Sequence, residues 1–392
     1  MEKRYVTLFY KGLYNGYLVK DIGQIPYLLH KHHGYEATLV GSRSEESFPL
    51  LESETKGLKL EFIKHGRPQW KLFRWPVLRY LVNNAKSIDV LSLFQCKGES
   101  LVYGILYKIL NPKGILYIKL DSDLDVVRKA RSCLIPTLNI IRKPLFKLLL
   151  PIFFRKVDFF TIEQKEGLAL VQEYHRKFAH KFFYLPNGVS ERFFEDSKKH
   201  RSYAEKENII LTVGRIGTRV KHNEMLLEAI SKINLGEWSV ALVGPTAEGF
   251  DTYIEEYFRQ YPHLKEKVHF TGPLFEREQL LEWFDRSKVF CFTSSGESFG
   301  IVLVEAMLYN NYVVTTDISS ATDITANGTL GSKMPRFDVE RLAEELERLI
   351  GNEQLIEEKF GKVREYAMET FRWEPYIHWL HEKIISCEKK PL

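Results

Sequence analysis

The feature that most constrains how this chain can fold is an alternation, present in both halves, of short apolar runs of strand length with longer segments of helical spacing. The first half opens with a strand-like run at Tyr5–Tyr10, a glycine-containing loop at Lys11 to Gly16, a helix from about Tyr17 to His32 and a second strand at Glu36–Val40. Further strands are expected at Val90–Phe94, Leu116–Leu120 and Phe159–Thr161. The second half repeats the scheme, with strands at Asn208–Val213, Ser239–Val243, Val268–Thr271, Val289–Thr293 and Tyr312–Thr316. Helices are expected between them at about Asn223–Ile233, Glu276–Asp285, Phe299–Leu308 and Glu340–Ile350. Strands that are apolar throughout and separated by helices belong in parallel sheets covered on both faces. The expectation is therefore α/β, as two Rossmann-like domains with parallel sheets facing a central cleft.

A length of 392 residues is too long for one ordinary core and comfortable for two. Pro186-Asn-Gly-Val189 is turn chemistry and marks the boundary. The expected division is 1–190, 191–370, and a terminal helical segment over 371–392 anchored by Trp373 and Trp379. Charge divides with it. Residues 1–190 hold 30 Lys/Arg against 17 Asp/Glu, a net +13, and the remainder hold 26 against 34, a net −8. The first half thus suits an anionic partner, with compositional drift as the plainer reading. The N-terminus enters a strand-like run without the apolar stretch of a signal peptide, and four scattered cysteines lack C-x-x-C spacing. Both point to a cytoplasmic protein with reduced thiols.

Open parallel sheets bind ligands just past the carboxyl ends of their strands. Gly12 to Gly16, Gly214-Arg215, Gly244, Gly272 and Ser294-Ser-Gly-Glu297-Ser-Phe-Gly300 all fall there. The last segment reads as a loop running into a helix that starts near Ser298, where exposed amides favour a phosphate. Glu297 and Glu305 are eight residues apart, about 12 Å at helical rise. That is no same-face spacing, so Glu297 belongs to the loop and Glu305 to the helix. Arg215 and Lys221 are two cations beyond a strand end, suited to a diphosphate; a solvated loop is the plain alternative.

Glu297-Ser-Phe-Gly-Ile-Val-Leu-Val-Glu305 resembles the Glu-x7-Glu motif of glycosyltransferase family 4, retaining enzymes with the GT-B fold. The resemblance implies that Glu297 lies beside the donor sugar, that Glu305 hydrogen-bonds the ribose, and that Gly214, Arg215 and Lys221 grip the donor diphosphate. It further implies donor contacts from Gly16, Gly244, Gly272, Pro273, Leu274, Phe275, Ser298, Phe299, Gly300 and Ile301. In many relatives a histidine follows the strand equivalent to Leu116–Leu120; here Lys119 or Asp121 takes that place, on the acceptor side. Asp121-Ser-Asp123 matches a metal-binding Asp-x-Asp of another fold, but is read here as cleft residues or a helix cap. The implied enzyme moves a sugar from a nucleotide-sugar to a saccharide or lipid-linked saccharide in cell-surface glycan biosynthesis, with no metal, no cofactor and no nucleic acid. The alternatives are a sugar-nucleotide 2-epimerase and a non-catalytic GT-B partner protein. Finally, Val126 to Val157 carries Arg128, Lys129, Arg131, Arg142, Lys143, Lys147, Arg155 and Lys156 among apolar residues. This suits either an anionic membrane surface at the inner face of the plasma membrane or a core helix with a basic solvated face.

Overall fold

A computed structural model describes residues 2–64, 74–133 and 144–389. The chain divides into two compact units, Met1–Glu191 with Arg372–Leu392, and Arg192–Phe371.

The first unit is built on seven strands: β1 (Arg4–Leu13), β2 (Glu36–Arg43), β3 (Lys59–Phe62), β4 (Val90–Phe94), β5 (Ile115–Leu120), β6 (Phe159–Ile162) and β7 (Phe182–Tyr184). They pair in the order β3-β2-β1-β4-β5-β6-β7, and every pairing is parallel. The helices between them are α1 (Asp21–His33), α2 (Leu50–Glu54), α3 (Trp75–Asn84), α4 (Gly98–Leu110), α5 (Leu124–Ala130), α6 (Pro144–Lys156) and α7 (Lys165–Tyr174). β4, β5 and β6 are buried along their whole length, which is why they read as unbroken apolar runs.

In the second unit, α8 (Glu191–Asp196) leads into β8 (Glu207–Val213), α9 (Asn223–Ile230), β9 (Ser239–Val243), α10 (Phe250–Gln260), β10 (Val268–Gly272) and α11 (Arg277–Arg286). Then come β11 (Ser287–Phe292), α12 (Ile301–Leu308), β12 (Tyr312–Thr316), α13 (Ala321–Ile324), β13 (Gly331–Met334), α14 (Val339–Gly351), α15 (Gln354–Glu357) and α16 (Lys362–Thr370). The six strands pair in the order β10-β9-β8-β11-β12-β13, again all parallel. The last helix, α17 (Trp373–Glu388), returns to the first unit, where Trp373, Ile377, Leu380 and Ile384 are buried with Tyr5, Leu28 and Tyr117.

Several boundaries differ from the sequence expectation. β1 continues to Leu13 instead of ending at Tyr10, through an irregularity between Phe9 and Gly12, so Gly12 lies within the strand and not past it. α1 starts at Asp21 instead of Tyr17. Asn15–Tyr17 form a 3-10 turn, and Gln24 Nε2 donates to the Leu18 carbonyl at 2.8 Å, closing a turn ahead of the helix. α12 starts at Ile301 and not near Ser298, because Gly300 is left-handed, with φ +76°, and ends any helix running through it. The short strands β3, β7 and β13 are too brief to announce themselves, and all three form sheet edges.

Candidate active site

Three glycines close the carboxyl ends of neighbouring strands in the second unit. Gly214 follows β8, Gly244 follows β9 and Gly272 ends β10, all with positive φ (+154°, +132° and +69°). Their backbones are stitched together. Gly214 N–H donates to the Val243 carbonyl at 3.0 Å, and Gly244 N–H donates to the Gly272 carbonyl at 3.2 Å. A Cβ at Gly244 would stand 2.0 Å from the Gly214 carbonyl oxygen, so no side chain fits. The result is a floor of bare backbone at the strand ends.

Arg215 and Lys221 rise from the loop that follows Gly214. Two observations explain why Lys221 is held in place. Ser295 N–H and the Ser294 hydroxyl donate to the Val220 carbonyl at 2.7 and 2.9 Å, and the Thr293 hydroxyl donates to the Lys221 carbonyl at 3.1 Å. The loop after β8 is thereby clamped to the loop after β11. Lys221 Nζ donates to Glu297 Oε2 at 2.8 Å and lies 4.5 Å from the centre of the Phe292 ring. Lys221 and Glu297 remain 19% and 28% exposed, so the pair is reachable by a ligand. Arg215 is exposed, and among the described residues its guanidinium has no partner.

Glu297 lies in the loop and Glu305 in the second turn of α12, half-buried. A Cβ at Gly300 would meet Glu297 Cγ at 3.4 Å, so the glutamate stem runs against the cap of α12. The first amides of α12 have no carbonyl within the helix to bond. They point toward the loop that carries Glu297, which makes this end of the helix favourable for a phosphate. Ser298 and Ile301 are half-buried at that helix end. Phe299 is 2% exposed, its ring packs edge-on against Phe371 at 5.7 Å, and its carbonyl accepts the Ser320 hydroxyl. Only its backbone can face a ligand. Beyond Gly272, Pro273 is exposed, Leu274 half-buried and Phe275 88% exposed. Sequence reasoning missed Phe292 and Val220; an aromatic at the last position of β11 was the one available signal.

The first unit holds a separate polar cluster at its own strand ends. Lys119, on β5, is fully buried and ion-paired to Glu163 Oε2 at 3.2 Å and Asp21 Oδ2 at 3.8 Å. It is therefore a correction: the ammonium cannot touch a sugar directly. Burial pushes the Glu163 carboxyl up to about 8 against the pull of Lys119, and raises Asp21 in the same way. Asp121 accepts the Gln95 amide at 3.2 Å and remains half-buried. Asp123 caps α5, accepting Asp125 N–H at 2.8 Å. Gly16 is exposed within the 3-10 turn, with nothing within 4 Å of a built Cβ. Asp21 and Glu163 were missed, although a charged residue directly after an apolar strand was legible in Ile162-Glu163.

No group of His, Cys, Asp and Glu with metal-holding geometry occurs among the described residues. No helix among them is long and apolar enough to cross a membrane. In the basic stretch, Arg128 pairs with Asp125 at 3.1 Å and with Glu166, and Arg131 lies over the Tyr174 ring. Arg128 and Arg131 are thus engaged within the protein, whereas Lys129 is exposed. Arg142 and Lys143 lie outside the described residues, and Arg155 and Lys156 are exposed at the end of α6.

Residues 193–369 match the family model described as glycosyl transferases group 1. The chain is 26% identical over 192 residues to a phosphatidyl-myo-inositol mannosyltransferase of Mycobacterium leprae, covering 48% of this chain and 49% of the relative. It is 26% identical over 179 residues to the capsular polysaccharide biosynthesis glycosyltransferase CapM of Staphylococcus aureus, covering 44% and 45%. The chain thus spans about half the length of the curated relatives it matches. Among solved structures it superposes on a glycosyltransferase from Rickettsia africae with a TM-score of 0.77 at 15% identity, covering all of both chains. It superposes on Anabaena Alr3699/HepE in complex with UDP with a TM-score of 0.72 at 15% identity, covering 98% of this chain and all of the other. At such identity these likenesses concern the fold, which is that of GT-B glycosyltransferases: two α/β domains with parallel sheets.

Proposed function

We propose that this chain is a glycosyltransferase (EC 2.4) of glycan or polysaccharide biosynthesis, moving a sugar from a nucleotide-sugar to a saccharide or lipid-linked saccharide. The observation that carries the reading is the Lys221–Glu297 pair at 2.8 Å, with Arg215 exposed on the same loop after Gly214 and, among the described residues, without a partner for its guanidinium. The match of residues 193–369 and the transferase relatives support it from outside the site. Neighbouring solved structures hold UDP, and another holds UDP with glucose, which supports a nucleotide-sugar donor.

In this reading the donor diphosphate lies over Gly214 and Gly244, where a Cβ would block its approach. Arg215, Lys221 and the first amides of α12 take up the charge that grows on it as the glycosidic bond breaks. Preorganised cations do this without a proton transfer, so the reading calls for no metal or cofactor. Lys221 leaves Glu297 for the diphosphate, and the freed Glu297 carboxylate orients the donor sugar. Glu305 holds the ribose, while the backbone from Gly272 to Phe275 meets the base. The acceptor hydroxyl attacks the anomeric carbon on the face the diphosphate leaves, the departing phosphate takes the hydroxyl proton, and configuration is retained.

The test is hydrolysis of a panel of UDP-, GDP- and ADP-sugars. We expect slow release of free sugar from at least one donor, reduced about 100- to 1,000-fold in Arg215→Ala and Glu297→Gln. Excess chelator should leave the rate unchanged. Failure to bind any nucleotide or nucleotide-sugar would overturn the reading and favour a non-catalytic partner protein. Epimerised free sugar or donor, in place of hydrolysis, would favour the epimerase.

A further inference from the structure

Helix α4 buries Leu101, Tyr103 and Tyr107 in the core, and it buries polar residues with them. Its charged and polar residues Glu99, Ser100 and Lys108 are buried. Lys108 Nζ donates to the Gly114 carbonyl at 2.7 Å and to Asp158 at 3.1 Å, which is how its charge is tolerated there. Its remaining apolar residues Val102, Ile105 and Leu106 are half-buried against the edge of that core, and Ile109 is 65% exposed. A surface helix ordinarily shows water its charged residues and not an isoleucine.

The neighbours of α4 continue the pattern. α3 and α6 pack on either side of it, over the same core. α3 exposes Trp75 (73%) and Val82 (59%), and α6 exposes Leu148 (67%) and Ile152. No exposed carboxylate occurs on the three helices: α3 and α6 contain none, and Glu99 of α4 is buried. The same helices and the turns that follow them carry Arg79, Lys86, Lys113, Arg155 and Lys156, all exposed and, among the described residues, without a carboxylate partner.

We propose that the α3–α4–α6 face docks on an anionic lipid bilayer, with the apolar side chains entering the interface and the cations meeting lipid phosphates. Exposed apolar and basic residues carried by the same helices fit that surface by both solvation and charge. A second copy of the chain fits poorly. A two-fold contact through this face would set cations against cations, with no carboxylate to receive them. Trp75 is the type of side chain that settles at a membrane–water boundary. The proposal relocates the basic surface expected from residues 126–157, since Arg128 and Arg131 make contacts within the protein while Arg155 and Lys156 do not pair with a carboxylate among the described residues. It does not depend on the transferase reading, because docking is measured without any donor.

The full chain is sedimented with vesicles of equal parts phosphatidylglycerol and phosphatidylcholine, and with phosphatidylcholine alone. We expect binding to the anionic vesicles, a blue shift of tryptophan emission that Trp75→Phe diminishes, and loss of binding as salt rises. Each added lysine or arginine contributes roughly 5-fold to such partitioning. Arg155→Glu with Lys156→Glu should therefore lower it at least ~10-fold. Ile109→Glu and Leu148→Glu alter exposed positions, and should abolish binding while circular dichroism and melting stay unchanged. Binding unaffected by Ile109→Glu would overturn the proposal, as would absence from the anionic pellet at low salt. A concentration-dependent dimer in analytical ultracentrifugation, dissolved by Ile109→Glu, would overturn it in favour of self-association.

Discussion

Lys221 holds its ammonium between the Glu297 carboxylate and the face of Phe292, at 2.8 Å and 4.5 Å. Because both members of the ion pair are partly exposed, the pair contributes about 1 kcal/mol or less to stability. Its placement therefore makes sense as pre-positioning of a charge for a ligand. The backbone beneath it is where stability is concentrated. Gly244→Ala would force a Cβ to 2.0 Å from the Gly214 carbonyl at a φ of +132°, a conflict only backbone movement can relieve. We expect a loss of about 2–4 kcal/mol in denaturant unfolding of that variant. A variant as stable as the parent would show that the strand-end floor yields easily. The glycines were visible in the sequence as punctuation after strands. What Gly244 faces was not, because its steric partner lies thirty positions away, on another strand end.

At the scale of elements, α17 shows how a segment distant in sequence completes a sheet face. Its buried stripe Trp373, Ile377, Leu380, Ile384 follows helical spacing and lies over β1, β4 and β5 through Tyr5, Val90 and Tyr117. Leu380→Ala should cost about 2–5 kcal/mol, read as a shift in the melting of the first unit. The polar edge of the same helix brings His378 and His381 against His33 of α1, the latter pair stacked at 3.9 Å. Burial, followed by His381, His378 and His32, lowers His33 to about 4, with Glu382 pulling the other way. Burial alone lowers His175 to about 4, and its Nε2 accepts Cys133 N–H at 3.1 Å. Both are bases depressed on folding from 6.5, so the unfolded chain takes up their protons first. Their contribution to stability is full above 6.5 and is lost as pH falls from there to about 4. Each should contribute about 1 kcal/mol of that decline, discounted for solvent access at His33. In a pH series of thermal melts, His33→Phe should flatten the curve between those limits; an unchanged slope would refute the assignment.

For the whole molecule, the two units have separate cores, and their chain continuity differs. Arg192–Phe371 is one uninterrupted segment, whereas Met1–Glu191 needs Arg372–Leu392 to cover its β1–β5 face. A fragment of residues 192–371 should therefore fold alone, with cooperative melting and native-like circular dichroism. A fragment ending at residue 191 should be insoluble or molten, and adding the 372–388 segment as a peptide should restore part of its signal. Independent folding of the shorter fragment without the peptide would contradict this account of α17. The acid-free α3–α4–α6 face belongs to this scale too, since three helices separated in sequence create it together.

The α/β class and the parallel sheets were legible because strands buried on both faces must be apolar throughout, and the helices between them must carry a period of 3.6. The loop position of Glu297 and the helical position of Glu305 followed from a spacing that no single helix face could satisfy. Local geometry escaped wherever it depended on a distant partner. The delay of α12 to Ile301 rests on the Gly300 conformation and on the burial of Phe299 against Phe371. The burial of Lys119 rests on Asp21 and Glu163, which no spacing links to it. The exposure of Ile109 on α4 and of Leu148 on α6 was not legible either, because periodicity reports a stripe without saying whether anything covers it. Sequence carries the period and the chemistry of each segment; only tertiary packing decides which side chains lose their water, and so which charges are paired and which remain to meet a ligand.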